Sequence, residues 1–473
     1  MNTPPKAPLR RRMRAPAWST VPLLLSSCAS LDPAADIHQA ATLSAARLHT
    51  GVAEIWAQPV DSPSIAWDGA TSLTAETAII VALQNEPELR SELARIAEHR
   101  ADLGQAQVLP NPTIAFGIGM ATDGLSGSPA IVQGLQALTW LWTRPDRIAV
   151  AEASLQQTIL TASSTTIDLA ARVSTSHAKV LAAQALVTLD AENLDITEQT
   201  FALIQRRNDV GEASKLDLDR SEVDAQNARS NLVAAERELE QAKLALLLDI
   251  GWPGHHTDWS AAEPVGITPP QEQDDIWLCE LAATQRLDLA AAQAAVEKEV
   301  AGLALAGTRK LPEVRFTFGW QRSFMDRKAV MPGASITIPI LDNGDPAVAK
   351  AAARIEWARM QWLDLANHIE FSVRDAASKW RQAAAQAEIT ERGVLSAATG
   401  ALIRSRAAYS EGVVDLTVLL LAQEQHIATQ RTLVTQRLSE AVSLVELRRS
   451  VGGVFTPLPD AMTQGVVLDG GAS

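Results

Sequence analysis

Two adjacent histidines, His255 and His256, are the residues that most directly suggest metal chemistry, because imidazole is a common ligand of zinc. The pair lies in a link bounded by glycine and proline, and no other histidine or cysteine is close in sequence. His177, His368 and His426 stand singly in helical patterns and are predicted to be packing or surface residues. The chain has no P-loop, dinucleotide-binding fingerprint or GxSxG elbow. We therefore predict no metal site, no cofactor and no enzymatic activity.

Cys28 has a clearer predicted chemistry, covalent lipidation. It ends the segment Leu25-Ser26-Ser27-Cys28, which follows a basic start and a short apolar stretch, the order found in export signals. This segment resembles the bacterial lipoprotein box, in which the signal is cleaved before the cysteine and the cysteine is then acylated, for example with palmitate. We predict a signal peptide over residues 1–27 and a lipid on Cys28, and the residue after it, Ala29, favours the outer membrane. An ordinary signal peptide with an incidental cysteine is the alternative.

The charge balance argues against nucleic acid as a partner. The formal net charge is −14, and removal of residues 1–27 with their five cations would change it to −19. A strongly acidic protein repels a phosphate backbone. The same acidity gives cations a slight preference as cargo, and the cargo itself stays open.

The composition indicates long packed helices. Hydrophobic residues make up 47% of the chain and aromatic residues only 4%, with Ala and Leu abundant. No uninterrupted apolar run reaches the roughly 18 residues that a transmembrane helix needs. If the chain crosses a membrane, we predict that it does so without hydrophobic helices.

The chain contains two similar halves. Four landmarks recur in the same order at an offset of 202 or 201 residues, which is the signature of a duplicated unit. They are Leu109-Pro110 with Leu311-Pro312, Phe116-Gly117 with Phe318-Gly319, Gly211 with Gly412, and Gly251 with Gly452. We predict one unit over residues 71–260 and a second over 275–455. Residues 28–70 form an N-terminal lipid-anchored extension and residues 456–473 a tail.

Each unit is predicted to begin with a helix, over 74–108 and 275–309, followed by a β-hairpin. Large apolar residues alternate with small or polar ones in both first strands, so that one face of each meets oil and the other meets water or open space. The apolar positions are Ile114, Phe116, Ile118 and Met120 in one copy and Val314, Phe316, Phe318 and Trp320 in the other. The second return strand alternates through Ile336, Ile338 and Ile340, whereas residues 131–142 alternate poorly. Strands near ten residues suit a tilted membrane strand.

A very long helix is predicted after each hairpin, over 145–208 and 346–409. Apolar residues repeat every seven positions in two series that lie on opposite sides of the first of these helices. One series begins at Val173 and Val180, and the other at Ala182 and Leu189. A helix that is apolar on two sides must be packed on both, as in a wall of helices.

The hairpins imply an assembly of several chains. Four membrane strands cannot close a barrel, and an open sheet edge in lipid leaves backbone groups unpaired. Two chains would supply eight strands and three would supply twelve. Because side chains fill an eight-stranded barrel, a conduit favours the larger ring.

The chain resembles the TolC-type outer-membrane factor family over about residues 70–455. The matching segments are Asn85-Glu86-Pro87-Glu88-Leu89, Leu109-Pro110-Asn111-Pro112, Pro339-Ile340-Leu341-Asp342-Asn343-Gly344 and Tyr409-Ser410-Glu411-Gly412. The lipoprotein box and the Leu-Pro-Asn-Pro segment look most like lipidated members of RND-type drug or heavy-metal efflux systems. The resemblance implies a mainly α homotrimer with a twelve-stranded membrane β-barrel, continuous with an α-helical barrel of long antiparallel helices. It also implies a passive duct in the outer-membrane lipid that docks to an inner-membrane efflux pump through a periplasmic membrane-fusion adaptor protein.

The resemblance places a periplasmic gate near the two turns between long helices, often with acidic rings on the final helix. By spacing from Gly412, the usual acidic positions are occupied here by Val418 and Leu421, which is a departure from the family pattern. The nearer gate candidates are Asp217, Asp219 and Asp415, although acids at a helix start also serve as caps. The adaptor-contacting tip is predicted at Gly211 and Glu212 and at Gly412 and Val413.

Two other classes of protein compete with the duct. One is a periplasmic helical scaffold lipoprotein without a pore. An apolar face at both hairpins argues against it, because a scaffold does not require one. The other is a porin-like passive channel, which would consist almost entirely of strands.

Overall fold

The computed structural model describes residues 31–48, 52–56, 67–120, 127–254, 256–262, 266–270 and 274–459. The predicted signal peptide, Cys28, His255 and most of the first hairpin loop lie outside the described residues. Within the described ranges, long helices and one four-stranded antiparallel sheet make up the fold. The helices are α1 (Ala34–Leu48), α2 (Val52–Trp56), α3 (Ala75–Asn85), α4 (Pro87–Gln107), α5 (Trp140–Asp209), α6 (Lys215–Asp249), α7 (Asp275–Gln285), α8 (Leu287–Gly307), α9 (Asp345–Ile389), α10 (Ser396–Ser410) and α11 (Leu416–Ser450). The strands are β1 (Thr113–Ile118), β2 (Ala130–Ala137), β3 (Glu313–Arg322) and β4 (Lys328–Thr337).

The first helix of each unit is broken, so the expectation of single helices over 74–108 and 275–309 is wrong. Glu86 separates α3 from α4 in an extended conformation, because the residue before Pro87 is pushed out of the helical region. Arg286 separates α7 from α8 in the same conformation without a following proline. Its guanidinium instead donates to the Asp288 carboxylate and to the carbonyl of Ser450, which holds the break in place.

The long helix of the first unit, α5, runs unbroken for 70 residues, or about 105 Å at ~1.5 Å per residue. The corresponding helix of the second unit differs. A π-helical segment, Thr390–Leu395, lies between α9 and α10 and interrupts the regular hydrogen-bond ladder. Helix α5 packs against α6, α8, α4 and α11, as expected of a helix with two apolar sides.

The sheet joins both units in the order β1-β2-β3-β4. Residues directly opposite one another share a face of the sheet. One such row is apolar and crosses all four strands, namely Phe116, Val132, Trp320 and Val330. The adjacent row on the other face is Ala115, Gln133, Gly319 and Met331. The poor alternation of β2 arises because Ile131 and Leu135 lie on the second face and Gly134 and Gln136 on the first.

The return strand of the second hairpin begins earlier than its isoleucines predict. Strand β4 ends at Thr337, so Ile338 and Ile340 lie beyond it. Pro339 between them has no N–H to donate to a strand ladder, and the Ile340 N–H instead donates to the Ile338 carbonyl at 2.9 Å.

The N-terminal helix α1 ties the two units together. Arg47, at its end, is buried and donates from Nε and Nη2 to the Gln285 carbonyl at 3.0 and 2.9 Å. Its burial lowers the pKa of the guanidinium to about 10. At the other end of α1, the buried Asp36 pairs with Arg100 of α4. In the described parts of the chain, no helix is long and apolar enough to span a membrane.

Candidate functional site

The two turns between long helices lie side by side at the end of the molecule opposite the sheet. Each ends its helix in the same way, with a glycine at positive φ, Gly211 at +83° and Gly412 at +74°. The Glu212 N–H donates to the Arg207 carbonyl at 2.7 Å, and the Val413 N–H donates to the Ala408 carbonyl at 2.9 Å. This pattern satisfies carbonyls at the helix end and needs a residue without a side chain at the left-handed position.

Polar contacts connect the first turn to the second. Arg207 Nη1 donates to the Tyr409 hydroxyl at 3.3 Å, and the guanidinium lies over the Tyr409 ring at 5.9 Å. Arg220 Nη1 donates to Thr417 Oγ1 at 2.7 Å. Arg207 and Tyr409, the only tyrosine of the chain, are 202 residues apart and do not occupy equivalent positions. The offset of 201 between Gly211 and Gly412 pairs Arg207 with Ala408. Sequence reasoning missed the contact between Arg207 and Tyr409, because no local pattern links the two residues.

An apolar cluster supports the two turns from beneath. Ile204 of α5 is fully buried against Leu416 and Leu419 of α11, with Leu218 of α6 at its margin. Three large apolar side chains nevertheless remain exposed at the tip. They are Val210 at 70%, Val413 at 72% and Leu216 at 58% exposure.

The three predicted gate acids occupy different environments. Asp217 is part of a capping box, in which its carboxylate accepts from the Ser214 hydroxyl at 2.6 Å and its N–H donates to Ser214 Oγ at 3.1 Å. Asp219 is exposed and lines a groove between α6 and α11. Asp415 is exposed at the start of α11, and its side chain makes no capping hydrogen bond. Val418 and Leu421, at the family's usual acidic positions, are 45% and 64% exposed.

A buried ion pair joins the long helices of the two units above the turns. Arg431 of α11 donates from Nε to Asp190 Oδ1 of α5 at 3.0 Å, and its Nη2 donates to the same oxygen. Asp190 is only 4% exposed, and the Arg431 guanidinium is its charged partner among the described residues. The sequence around Asp190 or Arg431 does not predict this ion pair, because the two residues are 241 positions apart.

Two of the single histidines differ in their burial. His177 is fully buried, with Nε2 2.9 Å from the Leu73 carbonyl, and desolvation lowers the pKa of its ring. His368 is exposed on α9, and its Nδ1 lies 2.9 Å from the Asp364 carbonyl. Among the described residues, no three His, Cys, Asp or Glu side chains lie close enough together to hold a metal ion.

The opposite end of the molecule presents a broad apolar surface. Ile114, Phe116 and Ile118 of β1 are 59%, 76% and 77% exposed on one face of the sheet. Phe316 and Phe318 of β3 extend that face across the junction between the units. A contiguous apolar face of this extent on a strand surface marks contact with a membrane or with another protein.

Four strands with an exposed apolar face therefore lie at one end of a set of long helices, of which α5 is about 105 Å long, and the two joined turns lie at the other end. A sequence profile of the outer membrane efflux protein family matches residues 78–251 and 278–453. The chain therefore belongs to the outer membrane efflux protein family, whose members are efflux channels of drug and heavy-metal efflux systems and not enzymes. This confirms the family predicted from the sequence.

Similar proteins include a metal-resistance protein, a probable outer membrane lipoprotein and an outer membrane protein of known structure. The chain is 24% identical over 365 residues to the cobalt-zinc-cadmium resistance protein CzcC of Cupriavidus metallidurans, covering 75% of this chain and 84% of that one. It is 23% identical to the probable outer membrane lipoprotein SilC of Salmonella typhimurium, covering 79% and 84%. The crystal structure of the outer membrane protein VceC of Vibrio cholerae matches the fold with a TM-score of 0.68 at 18% identity, covering 81% of this chain and 97% of VceC.

Proposed function

We propose that this chain is one subunit of a homotrimeric duct that carries substrates across the periplasm and the outer membrane. The observation that carries the proposal is the sheet, whose strands β1 and β4 each pair on one side only within the described residues. Its apolar face would meet lipid, and unpaired edges in lipid require neighbouring chains. Three chains would pool twelve strands into a barrel wide enough for a conduit.

The helical layer offers a matching subunit surface. Helix α9 follows the edge strand β4, and it exposes large apolar side chains at helical spacing. Trp357, Met360, Leu363 and Phe371 are 62%, 51%, 45% and 70% exposed. Apolar residues repeated along one helix face need a packing partner. In the proposed ring, that partner is the neighbouring subunit, and the helices of three chains would continue the barrel as a cylinder.

The turn end of the molecule is the proposed contact with the rest of a tripartite efflux system. Gly211 and Glu212, with Gly412 and Val413, would form the tip that a periplasmic adaptor protein contacts, and the adaptor would connect the duct to an inner-membrane pump. The exposed Val210, Leu216 and Val413 support this assignment, because apolar side chains at an exposed turn favour a protein contact. Asp219 and Asp415 remain gate candidates as exposed acids, whereas Asp217 would act mainly through its cap.

The domain division follows the two units. We propose a signal peptide over residues 1–27, a lipid-anchored extension over 28–70, structural repeats over 71–260 and 275–455, and a tail over 456–473. The matching breaks at Glu86 and Arg286 support the repeat boundaries, because both units interrupt their first helix at the same place.

Replacing Phe116 with arginine tests the duct. A cation on the lipid-facing side of a membrane strand costs about 2–4 kcal/mol near the bilayer midplane. We expect Phe116→Arg to reduce the recovery of a trimer that migrates differently in gels before and after heating of the detergent extract. Gln133→Arg, on the opposite face of the adjacent strand, should leave that trimer unchanged. Equal losses in both variants, or release of a monomer without detergent, would favour the periplasmic scaffold instead.

Replacing Cys28 with alanine tests the lipid anchor separately. We expect Cys28→Ala to abolish incorporation of labelled palmitate, because the proposed modification uses the Cys28 thiol. Cys279→Ala is the matched control, since Cys279 is the only other cysteine and is partly buried on α7. Labelling that persists without Cys28 would contradict the anchor and leave the duct proposal intact.

A further inference from the structure

A groove of about 920 Å³ lies between α6 and α11, above the two turns. Asn193 and Thr197 of α5 also line it, so three of the long helices contribute to the groove. Of the residues discussed for the gate, Asp219 and Leu421 line this groove, and the proposed duct assigns no ligand to it. The volume lies within the range of small-molecule sites.

Two carboxylates from different helices line the groove, and among the described residues neither forms a salt bridge. Asp224 comes from α6 and Glu424 from α11. Burial and the negative charge of Glu424 raise the pKa of Asp224. The two nearby cations are already engaged, because Arg431 binds Asp190 and Arg220 donates to Thr417. The described part of the chain therefore leaves this acid pair uncompensated.

A buried hydrogen-bond donor accompanies the acid pair. Gln423, next to Glu424 in sequence, lines the groove and is only 6% exposed. Its Nε2 has no hydrogen-bond partner among the described residues. A buried donor without a partner is destabilising, and a ligand with an acceptor atom would relieve that penalty when the amide turns into the groove.

The margins of the groove are apolar. Val223 of α6 and Leu421 of α11 are 57% and 64% exposed, and Leu420 and Ile427 also line the groove. A bare metal ion would gain nothing from contact with these apolar side chains or with an N–H donor, since hard cations bind oxygen ligands. An amphipathic organic molecule can use all three features.

We propose that this groove binds an organic ammonium ion that carries an apolar body and a neutral hydrogen-bond acceptor. The ammonium group lies between Asp224 and Glu424, the acceptor receives the Gln423 N–H, and the apolar body covers Val223 and Leu421. This inference goes beyond the proposed duct, because binding to the groove requires no transport and no partner protein.

Dansylcadaverine is a suitable probe, since it combines a primary ammonium, sulfonyl acceptors and a naphthalene ring whose fluorescence reports an apolar surrounding. We expect it to bind saturably to the detergent-extracted full chain, and the neutral dansylamide to bind much more weakly. Asp224→Asn with Glu424→Gln should weaken binding about tenfold or more, the effect of losing charge-assisted hydrogen bonds. Gln423→Leu should weaken it roughly three- to tenfold.

Glu222→Gln is the matched control, because Glu222 is exposed on α6 and does not line the groove. It should leave binding unchanged. The inference is overturned if Glu222→Gln weakens binding as much as the groove variants do, or if dansylamide binds as tightly as dansylcadaverine. Should the double variant fail to fold, Gln423→Leu and the unaltered protein decide the question. Binding to the unaltered protein must weaken as falling pH protonates Asp224, whose pKa is raised. Binding that does not depend on pH would count against the site. Glu424, Asp219, Arg220 and Arg431 are the other charged groups that line the groove.

Discussion

Arg431→Leu should destabilise the helical body by about 3–5 kcal/mol, the usual cost of removing one partner of a buried ion pair. Asp190 is 4% exposed, and in the described residues its carboxylate is paired with the Arg431 guanidinium. Leucine fills part of the space but leaves a buried acid without a cation. Because the pair connects α5 of the first unit to α11 of the second, we expect the urea concentration at the midpoint of unfolding to fall. The unfolding is monitored by the circular dichroism signal of the helices.

Two further variants separate lost pairing from lost packing. Asp190→Asn should cost less than Arg431→Leu, since the Arg431 side chain is 34% exposed and can turn towards water. Asp190→Leu combined with Arg431→Leu should recover part of the loss, because neither charge then remains buried. A double variant less stable than Arg431→Leu alone would show that the pair contributes through shape rather than charge.

The sequence predicts the elements of this fold better than their junctions. Strict alternation at Phe116 and Phe318 identifies β1 and β3, because period two is a local property of a strand. The helix breaks at Glu86 and Arg286 were missed in spite of Pro87. At Arg286 the local sequence carries no break signal, and the break depends on contacts with Ser450 and with the following turn.

The polar contacts of the candidate site could not be predicted in the same way. Helical periodicity tells which face of a helix is covered but not which helix covers it or at what height. Asp190 and Arg431 meet because α5 and α11 are packed in one particular register, and Gln423 is buried for the same reason. The position of the two turns could be predicted from the sequence, because Gly211 and Gly412 have positive φ, which a residue without a side chain adopts most easily.

Gly251→Ala should be far more damaging than the same change at Gly211, although both glycines end a helix at positive φ. The φ values are +69° at Gly251 and +83° at Gly211, so both variants carry the cost of a left-handed alanine, about 1–2 kcal/mol. At Gly211 a new Cβ would meet no atom within 4 Å. At Gly251 it would lie 2.7 Å from the backbone carbonyl of Asn85, at the break between α3 and α4.

That contact cannot be relieved by a change of rotamer, because the opposing atoms are backbone. We expect a total cost of about 3 kcal/mol or more for Gly251→Ala, against about 1 kcal/mol for Gly211→Ala, measured as shifts of the same unfolding midpoint. Gly452 provides an internal check, since its Cβ would lie 3.0 Å from the backbone of Gln285 at the equivalent break. If the two units are built on one plan, Gly452→Ala should resemble Gly251→Ala and not Gly211→Ala. Equal losses of stability at Gly251 and Gly211 would mean that the backbone at the α3–α4 break can move away from the new Cβ. The close contact between the end of α6 and this break would then not be important for the stability of the unit.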